Sequence, residues 1–167
     1  MASANKVFVR GIPKVELHMH IEGVLDAPLR LKLARRNGLK DISDSLEELQ
    51  YKYRNFFENA LDKDCKEDPS AAFFDLLYGG YKVLVTEEDF YECAMLYYEK
   101  AALMNVRYAE LFIEFQALML CGVSVDTQMA GYRRAQLEAA ERLGVRLSSE
   151  YVPPHSYRNW PADYMCR

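Results

Sequence analysis

A chain of 167 residues, half of them hydrophobic, is the size of one domain and long enough to bury a core. Its formal net charge of -4 leaves no electrostatic footprint for nucleic acid or an anionic membrane surface, and neither is expected as a partner. No apolar run reaches the roughly 18 residues of a spanning helix, and residues 1–12 hold no uninterrupted apolar signal core. The four cysteines, Cys65, Cys93, Cys121 and Cys166, form no C-x-x-C pair, and an even count alone does not imply disulfides in a chain this size. Reduced thiols and a cytoplasmic location are the expectation.

In chain order, Lys14 to Ile21 alternates, with Val15, Leu17, Met19 and Ile21 on one side and Glu16, His18 and His20 on the other. That is the period-two pattern of a strand. Gly23 ends it, and Asp26 ahead of Ala27-Pro28 marks a helix start, because proline fits a first turn. This helix carries Leu29 and Leu33 and stops at Asn37-Gly38, a left-handed cap. Its basic residues Arg30, Lys32, Arg35 and Arg36 read as a solvated face. Ser43 or Ser45 opens a second helix, Leu46 to about Leu61, and Asp62 to Pro69 reads as a charged loop.

Helical periodicity returns from Ala71 to about Val83, with Gly79-Gly80 as its weak point. Thr86-Glu87-Glu88-Asp89 is a helix N-terminus, with threonine as cap and carboxylates set against the dipole. That helix runs to about Met104 and displays Phe90, Ala94, Tyr97 and Ala101 at helical spacing, a stripe expected in the core. Val106 to Phe115 is a second strand, followed by a loop to Gly122. Val125 to Leu143 is a long helix closed by Gly144, and Val145 to Val152 is a third strand ended by Pro153-Pro154. Strands separated by helices predict parallel pairing in an α/β fold.

His18 and His20, one residue apart on a strand, share a face, so both imidazoles can reach one cation at zinc–nitrogen distances of about 2.0–2.1 Å. The end of a parallel strand, where the chain turns into a helix, is where α/β barrels build their active sites. A bound zinc would bring the pKa of its water to about 7 and supply hydroxide at neutral pH, the reagent needed to displace an amino group from an aromatic ring. A bare His-x-His pair is more often structural. Here the strand pattern, Glu22 two positions on, Gly23 next to it and the helix start that follows add weight to the metal reading.

Lys14 to Gly23, reading K-V-E-L-H-M-H-I-E-G, resembles the opening motif of the adenosine and adenine deaminase family. Ala34-Arg35-Arg36-Asn37-Gly38, the Ser45 to Leu49 stretch, Val83 to Tyr91 and Val106 to Phe112 are similar to its adenine-deaminase-like branch, so the likeness runs from about Phe8 to Leu147. The resemblance implies the N-terminal portion of a (β/α)8 barrel, incomplete here, over residues 1–147, and leaves 148–167 as a tail that does not match. It implies a small-molecule purine as substrate and Zn2+ as cofactor, with His18 and His20 as metal ligands. It also implies substrate contacts at His20, at Glu22, where adenosine deaminases carry a ribose-binding aspartate, and at Gly23, where the backbone would approach the ligand. Phe73 or Phe74 would lid the purine, with helix packing the expected role of both.

The family completes its site with a third histidine, an aspartate, the glutamate of a His-Ala-Gly-Glu motif and a further histidine. This sequence carries one other histidine, His155, outside the matched stretch and read as a tail residue, so no catalytic residue is identifiable. Leu118 and Met119 make the stretch from Glu114 to Gly122 more apolar than the family's loop. A whole barrel takes about 250 residues. Three readings follow: zinc-dependent deamination of adenosine to inosine or adenine to hypoxanthine, a catalytically incomplete fragment that associates with a full-length homologue, or another metal-dependent hydrolase of the same superfamily. The nucleic-acid deaminases are excluded, because H-x-E with P-C-x-x-C is absent.

Overall fold

The computed structural model describes residues 5–39, 45–61, 69–144 and 146–148. His155, Cys65, Cys166 and the proposed tail lie outside them, as does most of the expected charged loop. In chain order the elements are α1 (Lys6–Gly11), β1 (Lys14–His20), a 3-10 turn (Ile21–Val24), α2 (Ala27–Arg36), α3 (Leu46–Leu61), α4 (Pro69–Tyr81), α5 (Glu87–Leu103), β2 (Val106–Phe112), α6 (Phe115–Leu120), α7 (Val125–Leu143) and β3 (Arg146–Ser148). The strands form one parallel sheet in the order β1-β2-β3, the α/β arrangement expected from strands separated by helices. Among the described residues no helix is long and apolar enough to cross a membrane.

Local chemistry starts and stops most of these elements. The Asp26 carboxylate accepts the Leu29 amide at 3.1 Å at the head of α2, and Ser45, of the two serines considered, accepts Glu48 N–H at the head of α3. At α5, Thr86 and Asp89 make a reciprocal capping box. Gly38 and Gly144 close α2 and α7 at φ +68 and +63 degrees, a conformation that side-chain-bearing residues rarely adopt. The helix α1 was not expected; Asn5 caps it through the Val7 amide, and none of its residues is buried.

The core lies between one face of the sheet and the α5–α7 pair. Phe90, Ala94, Tyr97 and Ala101 are all buried there, as their spacing predicts. The two helices touch backbone to backbone at Gly131, where a Cβ would sit 2.4 Å from the Glu87 carbonyl oxygen and 2.9 Å from the Tyr91 nitrogen. Beside this contact the Phe90 and Tyr132 rings meet edge to face at 5.3 Å. Ala27, Leu31 and Leu49, with Tyr53, form a smaller cluster under α3.

Five local expectations are corrected. The basic face of α2 is solvated only in part: Lys32, Arg35 and Arg36 are exposed, whereas Arg30 is buried and donates to the Leu76 carbonyl, and Arg36 pairs with Asp89 and Glu92 and Lys32 with Glu92. The C-terminal half of α2 packs on the acidic N-terminal part of α5, so its cations are met by carboxylates. The helix α4 runs through Gly79-Gly80 to Tyr81; a Cβ at Gly79 would lie 2.0 Å from Arg30 Nη2, so glycine here admits the guanidinium rather than breaking the helix. The strand β2 ends at Phe112, because Glu114 leaves the extended region at φ -93, ψ 57 degrees. The expected loop after it is largely the helix α6, whose Phe115, Ala117 and Leu118 are buried.

The fifth correction concerns β1. Its pairing runs Glu16 to Ala109 and then Met19 to Leu111, three steps against two, so β1 carries one extra residue here, offset near its start where Lys14 to Val15 spans Val106 to Tyr108, and strict alternation is broken. Glu16 turns toward the helices, where its Oε2 accepts the Tyr97 hydroxyl at 2.7 Å, and Met19 packs on the core. Val15 and Leu17 are left exposed, at 62% and 58%.

Candidate metal centre and adjoining pocket

The irregularity in β1 places His18 and His20 on the sheet face away from the α5–α7 layer, against Phe112 of β2. The His18 ring stacks on Phe112 with centroids 4.3 Å apart, and His20 lies 5.3 Å from the same ring. The two Nε2 atoms are 3.3 Å apart. Two nitrogens bound at 2.0–2.1 Å to one tetrahedral ion would be separated by about 3.3–3.4 Å, so the pair fits one zinc ion as it stands. Among the described residues no cluster of three or more His, Cys, Asp or Glu side chains suited to a metal ion occurs; the fold brings together two donors.

The other nitrogen of His20, Nδ1, lies 3.0 Å from Oε1 of Glu114. This contact joins residues 94 positions apart, so no local pattern in the sequence marks Glu114 as the partner of His20. The hydrogen bond and charge of Glu114 raise the His20 pKa above its ordinary value, against the opposing effect of burial. Glu114 in turn is held from behind: its backbone N–H donates to Oε1 of Glu22 at 3.1 Å, and the Tyr132 hydroxyl of α7 donates to the same oxygen at 2.9 Å.

Glu22 is 1% exposed, and burial pushes its carboxyl up to about 7 in spite of those two hydrogen bonds. Its second oxygen, Oε2, is buried without a hydrogen-bond partner among the described residues. Glu22 and Gly23 form one end of a cavity otherwise lined by Leu25 and by mostly apolar side chains of α3 and α4, among them Phe56, Phe57, Phe73 and Leu77. A Cβ on Gly23 would meet only Leu77 Cδ1, at 3.9 Å, so packing does not demand glycine there. Of the two candidate lid residues, Phe73 lines this cavity, whereas Phe74 packs against the core beside Tyr78.

A parallel sheet with paired histidines at the carboxyl end of its first strand, facing away from the helices and close to a cavity with a buried glutamate at one end, defines a class of α/β protein that builds its sites at strand ends. Within that class the chain belongs to the adenosine deaminase family, whose model matches residues 13–150. It is 39% identical over 150 residues to the adenine deaminase of Rhodospirillum rubrum, covering 90% of this chain and 41% of that protein. The crystal structure of an adenine deaminase from Arthrobacter aurescens superposes with a TM-score of 0.71 at 34% identity, covering 83% of this chain and 39% of that one. An amidohydrolase from Burkholderia ambifaria, solved with bound zinc, shares the fold with a TM-score of 0.67 at 23% identity, covering 92% of this chain and 38% of that one. The chain thus spans about two fifths of the length of the curated relatives it matches.

Proposed function

We propose that residues 1–147 are the N-terminal part of a (β/α)8 purine deaminase barrel, with 148–167 outside it, and that the parent activity is zinc-dependent hydrolytic deamination. Adenine would give hypoxanthine, or adenosine inosine, with release of ammonia. The observation that carries this reading is the 3.3 Å separation of the two Nε2 atoms, the spacing one tetrahedral ion requires. The names of the relatives support adenine as the first substrate to assay, and the zinc in one neighbouring fold supports the choice of ion.

In this reading His18 and His20 hold the ion, which when bound would supply a hydroxide at neutral pH. Glu114 keeps the His20 ring turned so that Nε2 faces His18. Phe56, Phe57 and Phe73 line one side of the cavity and offer ring faces on which a purine would stack. Glu22 Oε2 is the polar atom left over for the purine edge, and His20 and Gly23 complete the contact. Glu22 Oε1 is already engaged by the Glu114 amide and the Tyr132 hydroxyl, which leaves Oε2 as the oxygen that would meet the ring.

The two donors brought together among the described residues fall short of the three protein ligands of a catalytic zinc site, so this chain is expected to bind zinc without turnover. The test pairs a zinc titration of this chain with deamination assays on it and on any longer product of the same gene. Zinc binding that disappears in His18→Ala supports the site. A long form that fails with adenine, adenosine and AMP overturns the substrate assignment.

A further inference from the structure

Resting on the metal site proposed above, we infer that Glu114 is a positioning residue for His20: it holds the Nδ1–H tautomer and the ring orientation that point Nε2 at His18. Glu114 occupies the N-cap position of α6, where an acidic side chain ordinarily accepts an amide of the first turn. It makes no such bond. Its Oε1 instead takes Nδ1 of His20 at 3.0 Å, and the side chain is 9% exposed against 40% for His20. A helix cap is thus left unmade while the carboxylate is spent on a histidine of another strand.

The placement of Glu114 is itself built. Its backbone N–H is fixed by Glu22 Oε1, and Glu22 is fixed by the Tyr132 hydroxyl. Tyr132 sits on α7 against Phe90 of α5, next to the tight Gly131 contact between those helices. A continuous set of contacts therefore runs from the α5–α7 interface beside Gly131 to the Nδ1 atom of His20. An ionised carboxylate can only accept, so the proton of a neutral His20 must sit on Nδ1 and the lone pair on Nε2. Ligating histidines held through their far nitrogen in this way bind metal more tightly, and loss of the outer partner typically costs about 10–100-fold in affinity.

The test uses the 167-residue chain, uniformly 15N-labelled and metal-free at pH 8, with long-range proton–nitrogen correlation of the histidine rings, followed by titration with zinc alone. The wild type is expected to show His20 protonated on Nδ1. Glu114→Ala is expected to move the proton to Nε2 and to weaken zinc binding by about 10–100-fold. Glu114→Gln keeps the volume and an acceptor oxygen, and it should retain Nδ1–H with a smaller loss of affinity, so a folding defect in the alanine variant does not decide the matter. A folded Glu114→Ala chain with the wild-type tautomer overturns the inference, as does a wild-type His20 protonated on Nε2. Wild-type protein that shows the Nδ1–H tautomer yet binds no zinc would overturn the metal reading and leave the assignment of Glu114 standing.

Discussion

The substitution Asp89→Asn isolates the carboxylate that locks α2 to α5. The Asp89 side chain has no exposed surface. Its Oδ1 accepts from Arg36 Nε at 3.0 Å and from Nη2 of the same residue. Its Oδ2 accepts from Asn37 Nδ2 at 3.0 Å, the Val85 amide at 3.0 Å, the Thr86 amide at 2.7 Å and the Thr86 hydroxyl at 2.9 Å. An asparagine keeps one acceptor oxygen; whichever way it turns, its amide group faces either the guanidinium or the two backbone N–H groups. Removing one partner of a buried pair costs about 3–5 kcal/mol. Arg36 keeps Glu92 and is 32% exposed, which sets the expected loss at the lower end, about 3 kcal/mol, out of a total stability of about 5–15 kcal/mol.

The pH dependence gives the same prediction a sign. Burial pushes the Asp89 carboxyl up, but the Arg36 guanidinium, the Thr86 and Val85 amides and Asn37 outweigh it and hold the group below its ordinary value. A depressed folded pKa contributes stability that is present above the unfolded value of about 3.9 and is lost as pH falls through the folded value. Urea unfolding followed by circular dichroism should therefore show the full deficit of Asp89→Asn at pH 7 and a shrinking one below about pH 4. A deficit under about 1 kcal/mol at pH 7, or one equal at pH 7 and pH 3, would refute the reasoning, since breaking a buried pair should cost more than that.

Gly131→Ala gains about 1 kcal/mol of helix propensity but forces a methyl group against backbone atoms at 2.4 and 2.9 Å. Overpacking that pries α5 from α7 should dominate, with a net loss of about 2 kcal/mol and a Tm about 4–8 °C lower by calorimetry. Gly79→Ala displaces the Arg30 guanidinium from α4 and should lower stability by about 1 kcal/mol through loss of the bond to the Leu76 carbonyl, whereas Gly23→Ala, whose Cβ would make only an ordinary contact with Leu77 Cδ1, should leave urea midpoints unchanged. Leu17→Lys replaces a side chain that is 58% exposed; its stability should stay within about 0.5 kcal/mol of the wild type, while light scattering should show less self-association. An unchanged scattering signal would mean that this edge is not what drives it.

Local signals in the sequence were legible because their partners lie within a few residues. The caps at Asp26 and Thr86, the left-handed glycines 38 and 144 and the core stripe from Phe90 to Ala101 are found as their residue types and spacing predict. So is the parallel arrangement of the strands. What stayed hidden depends on residues far apart in the chain. The pairing of Arg36 with Asp89 spans 53 positions, and that of His20 with Glu114 spans 94; neither leaves a periodic trace. Helix α6, reading F-Q-A-L-M-L, lacks the polar positions that mark an amphipathic helix, so its helical period was invisible. The extra residue in β1 is a property of its pairing with β2, not of β1 alone.

That extra residue divides β1 into two stretches with opposite rules for substitution. Upstream of it, Val15 and Leu17 occupy odd positions that face away from the core and should accept serine, threonine or lysine. Downstream, Met19 is also an odd position but packs inward, and it should accept only apolar replacements. A mutational scan of the strand should therefore show its tolerant and intolerant positions changing parity between Glu16 and Met19. Deleting one residue there would restore strict alternation and turn either the histidines or the inward-packing residues the wrong way. The number of residues in this strand, as much as their identity, therefore decides which side chains meet the helices and which face away from them.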